Sequence, residues 1–530
     1  MSEPVLIVGG GPVGMVSGLL LARFGIPSMV LEAQPSRQLV GSRSICVQGD
    51  VLDILERVGV GTQVADVGVT WRRGRTYYRD QQVAELTFPE VGDRAFPPFV
   101  NTPQTVVELL LEQRVAEEPL VDFRYGHQVV AIDQDDSGVT VRVSTQDGEL
   151  ELHSSHCVAA DGARSTVRDL LGLPFPGLSY QDKFLITDIR AKLGFAVPER
   201  RFYFDPPWNP GRQVLLHPQP DDVWRIDWQV PADFDLAAEQ SGDGLDRRVR
   251  AVLGDVDYEV IWMSVYRFHQ RIAPSMRVGR ILLAGDSAHV MSPFGARGLN
   301  SGVSDAENVA WKIAFDRRGL AGPRLLDSYD VERRAAAEEN LRVTGETMRF
   351  LVPQDDADRA HRLAVLQRSV TDPDGSAEID SGKLAEPFYY LESPLTTPAY
   401  HHDLVRFPRE PGRARPPIAG VLCPDARFDS GRLRELVGTQ FVVLTYWCDW
   451  QPRPGWERRL VTQPIPIDKD GHAGESVAEL YRLRPGSLLI VRPDGYIAAV
   501  LDEREVGDLA AAVTAALRRA TGWSDGSTEL

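Results

Sequence analysis

The sequence predicts an α/β protein: a parallel, dinucleotide-binding sheet with an antiparallel sheet inserted into it, followed by a second α/β unit. Three observations predict it. Residues 5–32 form a complete strand, glycine turn, helix and strand; apolar and polar residues alternate between about Tyr180 and Val230; and composition resets from about Arg413. A chain of 530 residues has room for two or three such domains, and 43% apolar with 25% charged residues is the balance of a globular chain. The net charge of -17 argues against nucleic acid or an anionic membrane as partner.

Val5-Leu6-Ile7-Val8 reads as a buried strand, with no basic segment or cleavage site before it, so no signal peptide is expected. No run of about 18 apolar residues predicts a spanning helix. Cys46, Cys157, Cys423 and Cys448 are dispersed and form no CxxC pair, so neither a disulfide framework nor a metal site is expected, and a reducing cytoplasm suits them.

The strand runs directly into Gly9-Gly10-Gly11-Pro12-Val13-Gly14, a G-x-G-x-x-G turn; Met15 to Phe24 reads as a helix, and Ser28 to Leu31 as a second strand closing on Glu32 and Ala33. Gly9 permits the tight turn, Gly11 lets backbone approach a pyrophosphate, and Gly14 lets the helix pack on the strand. The helix N-terminus offers unpaired N–H groups to phosphate, and Glu32 stands where a carboxylate accepts ribose hydroxyls. This unit alone does not separate FAD from NAD.

Two further segments bear on that choice. Val158-Ala159-Ala160-Asp161-Gly162 is an apolar run entering an Asp-Gly turn and a helix start. Arg280 to Ala284 is a strand ending in Gly285-Asp286, followed by Pro293, the loop Gly295-Ala296-Arg297-Gly298-Leu299-Asn300 and a helix from about Ser304 to Phe315. An aspartate after a strand can accept a ribityl hydroxyl, and glycines at a helix N-terminus can bring N–H groups to the pyrimidine edge of a flavin.

In these stretches the chain resembles the single-component FAD-dependent aromatic hydroxylases, phenol hydroxylases among them. The matching residues are Gly9–Gly14, Asp161–Arg168, Gly279–Ile313, and Leu326–Tyr329 through Glu332-Arg333, which together span about the first two-thirds of the chain. The resemblance implies a Rossmann-like FAD-binding domain over residues 1–175 and 275–350, a substrate-binding sheet over 176–274, and a connecting segment over 351–412. Gly9, Gly11, Pro12, Val13, Gly14, Glu32 and Ala33 would hold the ADP half of FAD. Arg43 and Gln104 would lie near its ribose and phosphates, and Asp161 and Gly162 would serve both FAD and the nicotinamide. Gly285 and Asp286 would bind the ribityl and pyrophosphate side, and Gly298, Leu299 and Asn300 the pyrimidine ring. Pro293 would lie at the reacting edge. Ala296-Arg297 departs from the family's usual Gly-Gln, which places a bulky charge beside the flavin or substrate. His289 reads as a structural hydrogen-bonder before a proton carrier; Arg164 and Arg168 read as ion-paired or as nicotinamide-phosphate contacts.

In the middle region Phe184–Ile189, Arg201–Phe204, Val214–His217 and Val223–Val230 read as antiparallel strands separated by turns. Which face lines a pocket is not fixed by one sequence. Tyr203, His217, Asp227 and Trp228 are the candidate pocket residues, with His217 the candidate base for a phenol and Pro293 a further substrate contact. At the C-terminus, a strand at Phe441–Trp447, a hairpin around Arg492-Pro493-Asp494-Gly495 and a helix at Val506–Arg519 resemble the thioredoxin-like domain appended to many relatives, here over 413–530. Cys448 follows the strand, but Gln451 stands in place of a second cysteine, so dithiol exchange is not expected.

The resemblance implies that NADH or NADPH reduces FAD, that O2 then gives a flavin C4a-hydroperoxide, and that this oxygenates a phenolic or polyketide-type aromatic substrate in a cytoplasmic monomer or homodimer. Baeyer–Villiger insertion or epoxidation of a polycyclic substrate requires the same site, and a flavin-binding module without turnover is the reading from another class.

Overall fold

The computed structural model describes residues 3–37, 44–88, 95–398, 415–428, 431–465 and 475–524. Its central sheet has six strands in the order Arg277–Val278, Ile281–Leu283, Cys157–Ala159, Val5–Val8, Ser28–Leu31 and Val121–Arg124. All neighbours are parallel except the first pair. Leu6 pairs with both Cys157 and Met29, and Cys157 with Ile281, so strands far apart in the chain end at one edge. These strands are almost continuously apolar because both sheet faces are covered. Helices Pro12–Arg23 and Gly298–Arg317 pack against each other beside the sheet. Val139, Val141 and Val143, from a three-stranded sheet over Gln128–Ser154, join the same core.

The antiparallel sheet is larger than 176–274. Its eight strands run in the order His289–Val290, Glu259–Ile272, Gly177–Arg190, Val223–Val230, Gln213–Pro218, Glu199–Phe204, Arg73–Tyr78 and Gln81–Thr87. The hairpin Arg73–Thr87, assigned from sequence to the flavin domain, therefore belongs to this sheet, docking parallel on Glu199–Phe204. Each face packs on its own core. One gathers Phe184, Ile186, Phe202, Phe204 and Leu215; the other Leu185, Val214, Trp224, Ile226 and Trp228. That separation is the period-2 alternation of a strand acting on four strands at once.

The C-terminal unit holds a four-stranded sheet in the order Leu460–Pro464, Phe441–Tyr446, Ser487–Val491 and Ile497–Asp502, the first pair parallel and the others antiparallel. Helix Leu509–Ala520 packs on the last strand. One face of this sheet (Phe441, Val443, Leu488, Ile490) enters the main core, while Val442, Leu444, Leu489 and Val491 build a local one. Between this unit and the body lie four fully buried charges: Lys312, Glu332, Arg492 and Asp494. No helix among the described residues is long and apolar enough to cross a membrane.

Candidate active site

The sheet edge brings the three glycine-bearing turns into contact. Gly9 has φ +104°, and a Cβ there would lie 2.4 Å from the Ala160 carbonyl oxygen; one on Gly14 would lie 2.0 Å from the Gly9 oxygen. Both positions are closed to any side chain. Gly11 is different: a Cβ there would meet nothing within 4 Å, and Gly11 caps helix Pro12–Arg23 without any side-chain hydrogen bond. The helix therefore presents N–H groups to open space at the position a pyrophosphate requires. Val13 closes the third contact, its Cγ2 lying 3.0 Å from where a Cβ on Gly285 would stand and 2.7 Å from one on Gly302. Glu32 accepts from the Gly10 N–H at 2.8 Å and the Gln34 N–H at 2.9 Å, which fixes its carboxylate beside the glycine turn, with Ala33 exposed next to it.

Other sequence-derived candidates divide between cradle and support. Asp161 uses both carboxylate oxygens on its own loop, accepting from Ser165 Oγ at 2.5 Å and the Val167 N–H at 3.0 Å, while Gly162 at φ +81° turns the chain. Burial raises Asp161 above the usual carboxylate range, against those hydrogen bonds. Asp286 sits in the 3-10 turn Gly285–Ser287, where the strand meets the cradle. Gly285 donates to Asp305 Oδ2 at 2.9 Å, and His289 Nε2 meets the same oxygen at 2.8 Å. Arg333 Nε donates to Asp305 Oδ1 at 2.6 Å. His289 is thus a buried anchor of the flavin loop. Arg168 is likewise structural, donating to the carbonyls of Ser287 and Ala163 at 3.0 Å each, whereas Arg164 is exposed. Arg43 lies outside the described residues; Gln104, opening helix Gln104–Ala116, accepts from the Ser44 N–H at 3.2 Å.

Helix Gly298–Arg317 begins six residues earlier than its apolar pattern shows, which makes Gly298, Leu299 and Asn300 its first turn. Asn300 accepts from the Gln48 N–H at 2.9 Å and donates to the carbonyls of Cys46 at 3.0 Å and Ala296 at 2.6 Å. It ties the Pro293–Ala296 loop to strand Cys46–Gln48. Arg297 is not among the residues lining the neighbouring cavity, which departs from the sequence expectation of a charge beside the flavin or substrate. Its buried guanidinium donates to Asn340 Oδ1 at 2.5 Å and to the carbonyls of Lys383 and Leu384 at 3.1 and 3.3 Å. The left-handed turn through Gly295 (φ +93°) and Ala296 (φ +55°) precedes it.

Beyond this loop opens a cavity of about 1060 Å³. Pro293, Phe294, Gly295 and Ala296 form one wall; strand residues Phe184, Ile186, Arg200, Leu215, His217, Arg225, Asp227 and Phe268 another; residues 376–386 close a third side. The sheet register phases the face. His217 pairs with Arg225 and Arg225 with Asp188; one row further, Phe202 pairs with Leu215, Leu215 with Asp227, and Asp227 with Ile186. Tyr203 and Trp228 are one residue out of phase and point to the opposite face, so neither lines the cavity. Tyr203 stacks on Tyr77 with ring centroids 4.9 Å apart, and Trp228 is fully buried in the core behind the sheet. Arg200 and residues 376–386 were missed from sequence, Arg200 because its polar side chain is indistinguishable from a solvated strand position, the segment because it has little regular structure.

Burial holds His217 well below the ordinary histidine range, with Arg200 and Arg225 adding to the effect, so it is neutral at pH 7. Burial raises Asp227 to about 7, against Arg225, and lowers Arg200 to about 10. An aromatic wall carrying the arginines Arg200 and Arg225 and a carboxylate raised by burial is chemically suited to an aromatic ring with a dissociable hydroxyl.

The parallel sheet and its open glycine cradle therefore define a flavin-binding protein whose cofactor site borders an aromatic-walled cavity. The chain belongs to the FAD-binding domain family, whose model matches residues 2–344. It is 30% identical over 383 residues to para-nitrophenol 4-monooxygenase of Pseudomonas sp. (strain WBC-3), covering 70% of this chain and 92% of that one. It is 31% identical over 530 residues to 12-dehydrotetracycline 5-monooxygenase/anhydrotetracycline 6-monooxygenase of Streptomyces rimosus, covering 94% and 95%. The flavin-dependent monooxygenase PieE, solved with FAD and substrate, shares the fold with a TM-score of 0.79 at 23% identity over 98% of this chain and 99% of that one. The protein is an FAD-dependent monooxygenase of the aromatic-hydroxylase type.

Proposed function

We propose that the protein couples oxidation of NADH or NADPH to hydroxylation of a polycyclic phenolic substrate by O2. The cavity carries this reading. Roughly 150 Å³ accommodates a benzene ring, so about 1060 Å³ holds several fused rings beside the flavin head. Relatives aligning along most of this chain are named both for tetracycline-type compounds and for single-ring hydroxyphenylpropionates, so the size of the cavity, not the relatives, favours fused rings. Bound FAD supplies the redox chemistry, passing two electrons from the nicotinamide so that one oxygen atom of O2 reaches the ring and the other leaves as water.

The chain's own residues arrange that chemistry. Gly11 and the helix behind it receive the pyrophosphate, Glu32 the ribose, and Asp286 the ribityl side. The Pro293–Ala296 loop and the Gly298–Asn300 turn border the ring system, the turn offering N–H groups to it. Phe184, Phe268 and Phe294 exclude water from the reacting face. We read the C-terminal unit as thioredoxin-like in topology and as a packing element, since Gln451 stands where a second redox cysteine would be needed.

The experiment is steady-state NADH and NADPH oxidation by the holoenzyme with hydroxyanthraquinones and with single-ring phenols, under 18O2 and with mass detection. We expect stimulation by the fused-ring compounds and a product heavier by one oxygen with its hydroxylated ring intact. Oxidation indifferent to every ring compound would refute the reading; a lactone product would replace hydroxylation by ring insertion.

A further inference from the structure

We propose that Asp227 removes the proton from the hydroxyl of the bound ring and that Arg200 holds the resulting oxyanion. The proposal rests on the reading of the cavity as an aromatic-substrate site, and it names the groups that activate the ring there.

The sheet sets these groups side by side. Arg201 pairs with Leu216, which places Arg200 beside His217, and His217 pairs with Arg225. Asp227 is one row away on the same face, between Leu215 and Ile186. The two acids of this face differ in what they already hold. Asp188 is fully engaged, receiving Arg225 Nε and Nη2 at 2.8 Å each and Gln219 Nε2 at 3.0 Å. Asp227 Oδ1 is buried with no hydrogen-bond partner among the described residues, and the side chain lines the cavity. An unpaired buried carboxylate oxygen costs free energy until something donates to it; a ring hydroxyl arriving in the cavity is such a donor.

Arg200 is held at the cavity wall by residues from another part of the chain. Its Nη2 donates to the Ser381 carbonyl at 2.8 Å and its Nη1 reaches Ser381 Oγ at 3.5 Å. A guanidinium has five N–H donors, so several remain for a ligand oxygen. Its charge is not neutralised by a salt bridge to Asp227; instead it lies 5.2 Å from the Phe202 ring and 5.9 Å from that of Trp71.

The groups facing Asp227 can be named element by element. Arg225 lies on its own strand, Asp188 on Gly177–Arg190, and Arg200 on Glu199–Phe204; His217 lies on Gln213–Pro218, and Cys46 and Asp380 face Arg200 from across the cavity. Arg225 and Asp188 offset each other. That leaves Asp227 raised to about 7 chiefly by burial, and His217 held well below its ordinary value, chiefly by burial and then by two arginines. A proton released in this cavity therefore binds the carboxylate in preference to the imidazole. In the step, the substrate O–H bond breaks, the proton joins Asp227 Oδ1, and the electron pair stays on the ring oxygen, where Arg200 compensates its charge. The ring carbons ortho and para to that oxygen gain electron density for attack on an electrophilic oxygen.

The test uses the FAD-loaded protein and 2-hydroxyanthraquinone, whose phenolate absorbs at longer wavelength than the phenol, titrated from pH 5.5 to 9. We expect Asp227→Asn to bind the neutral dye within about threefold of the unsubstituted protein, but to lose the limb near pH 7 in the pH profile of substrate-stimulated NADH oxidation, where Asp227 titrates at about 7. Substrate-stimulated NADH oxidation should fall roughly 100-fold. His217→Gln should keep that limb of the pH profile, and Arg200→Met should weaken binding of the phenolate more than that of the phenol. A pH profile of oxidation in Asp227→Asn like that of the unsubstituted protein, or loss of the limb near pH 7 in His217→Gln, overturns the proposal. Dye bound only as the neutral phenol overturns it and leaves the aromatic-site reading standing; dye bound by no form of the protein overturns both.

Discussion

Replacing Glu332 by Gln removes one charge from a closed set of four. Lys312 Nζ lies 2.8 Å from Glu332 Oε2, Arg492 Nη1 lies 2.6 Å from Glu332 Oε1, and Arg492 Nη2 lies 2.5 Å from Asp494 Oδ2, with all four side chains at most 2% exposed. Two cations and two anions cancel; Asn308 and Ser393 also donate to Glu332, at 2.9 and 2.5 Å. Burial alone would raise the Glu332 carboxyl, but Arg492 and Lys312 overcome it and hold it well below the usual range. Glu332→Gln leaves a net positive charge without solvent, so the expected loss is about 3–5 kcal/mol. Burial already pulls Lys312 from 10.5 to about 8, with Glu332 opposing. Between that value and an unfolded value of about 10.4 the unfolded chain binds more protons, so this group's contribution to stability rises with pH across the window. Without Glu332 the folded value drops further and the window opens lower, so the cost of the substitution should shrink between pH 7 and pH 9. Equilibrium urea unfolding measures it, with Trp311 as a local reporter because its Nε1 donates to Asp494 at 3.1 Å. Glu332→Met combined with Lys312→Met restores neutrality and should recover more than half of the loss. A cost below about 1 kcal/mol, or a double variant as unstable as the sum of its singles, would refute the electrostatic account.

Two further outcomes follow from the cradle and the C-terminal unit. Gly11→Ala should fold normally, since its Cβ meets only open space, yet lose FAD affinity at least about tenfold because the methyl stands where phosphate approaches; Gly9→Ala should fail earlier, by loss of folded protein, because its Cβ meets the Ala160 carbonyl. Fluorescence titration with FAD separates the two, and equal affinity in Gly11→Ala would remove the pyrophosphate from that position. Cys448→Ser should change turnover less than about twofold, because burial raises the thiol and leaves it protonated; a large loss in folded protein would restore a redox role.

How much of the site is legible in the sequence depends on the range of the interaction. The first glycine turn is local: strand, turn and helix are contiguous, and steric rules at Gly9 and Gly14 act within one unit. His289 also reads correctly as a support, but its partner Asp305 lies sixteen residues away in a helix and Arg333 in the next, so the anchor shows only after folding. Arg297 reads from sequence as a charge at the flavin because its neighbours Ala296 and Gly298 border the site; a left-handed turn swings it toward Asn340 and residues 383 and 384. Tyr203 and Trp228 read as pocket residues because aromatic strand residues suit either face, and only the sheet register places them behind it.

Taken by itself, the sequence determined the cofactor-binding architecture, because its glycines, buried strands and helix starts obey constraints that span a few residues. Tertiary structure decided the rest. It added Arg73–Thr87 to the antiparallel sheet, chose the face carrying Arg200, His217 and Asp227, and sank the Arg492–Asp494 turn against Lys312 and Glu332. The physical reason is that a side chain's direction and dielectric surroundings are set by what packs on it. For these residues the packing partners lie on other strands or other domains, so neither pocket lining nor proton affinity is written in the local pattern.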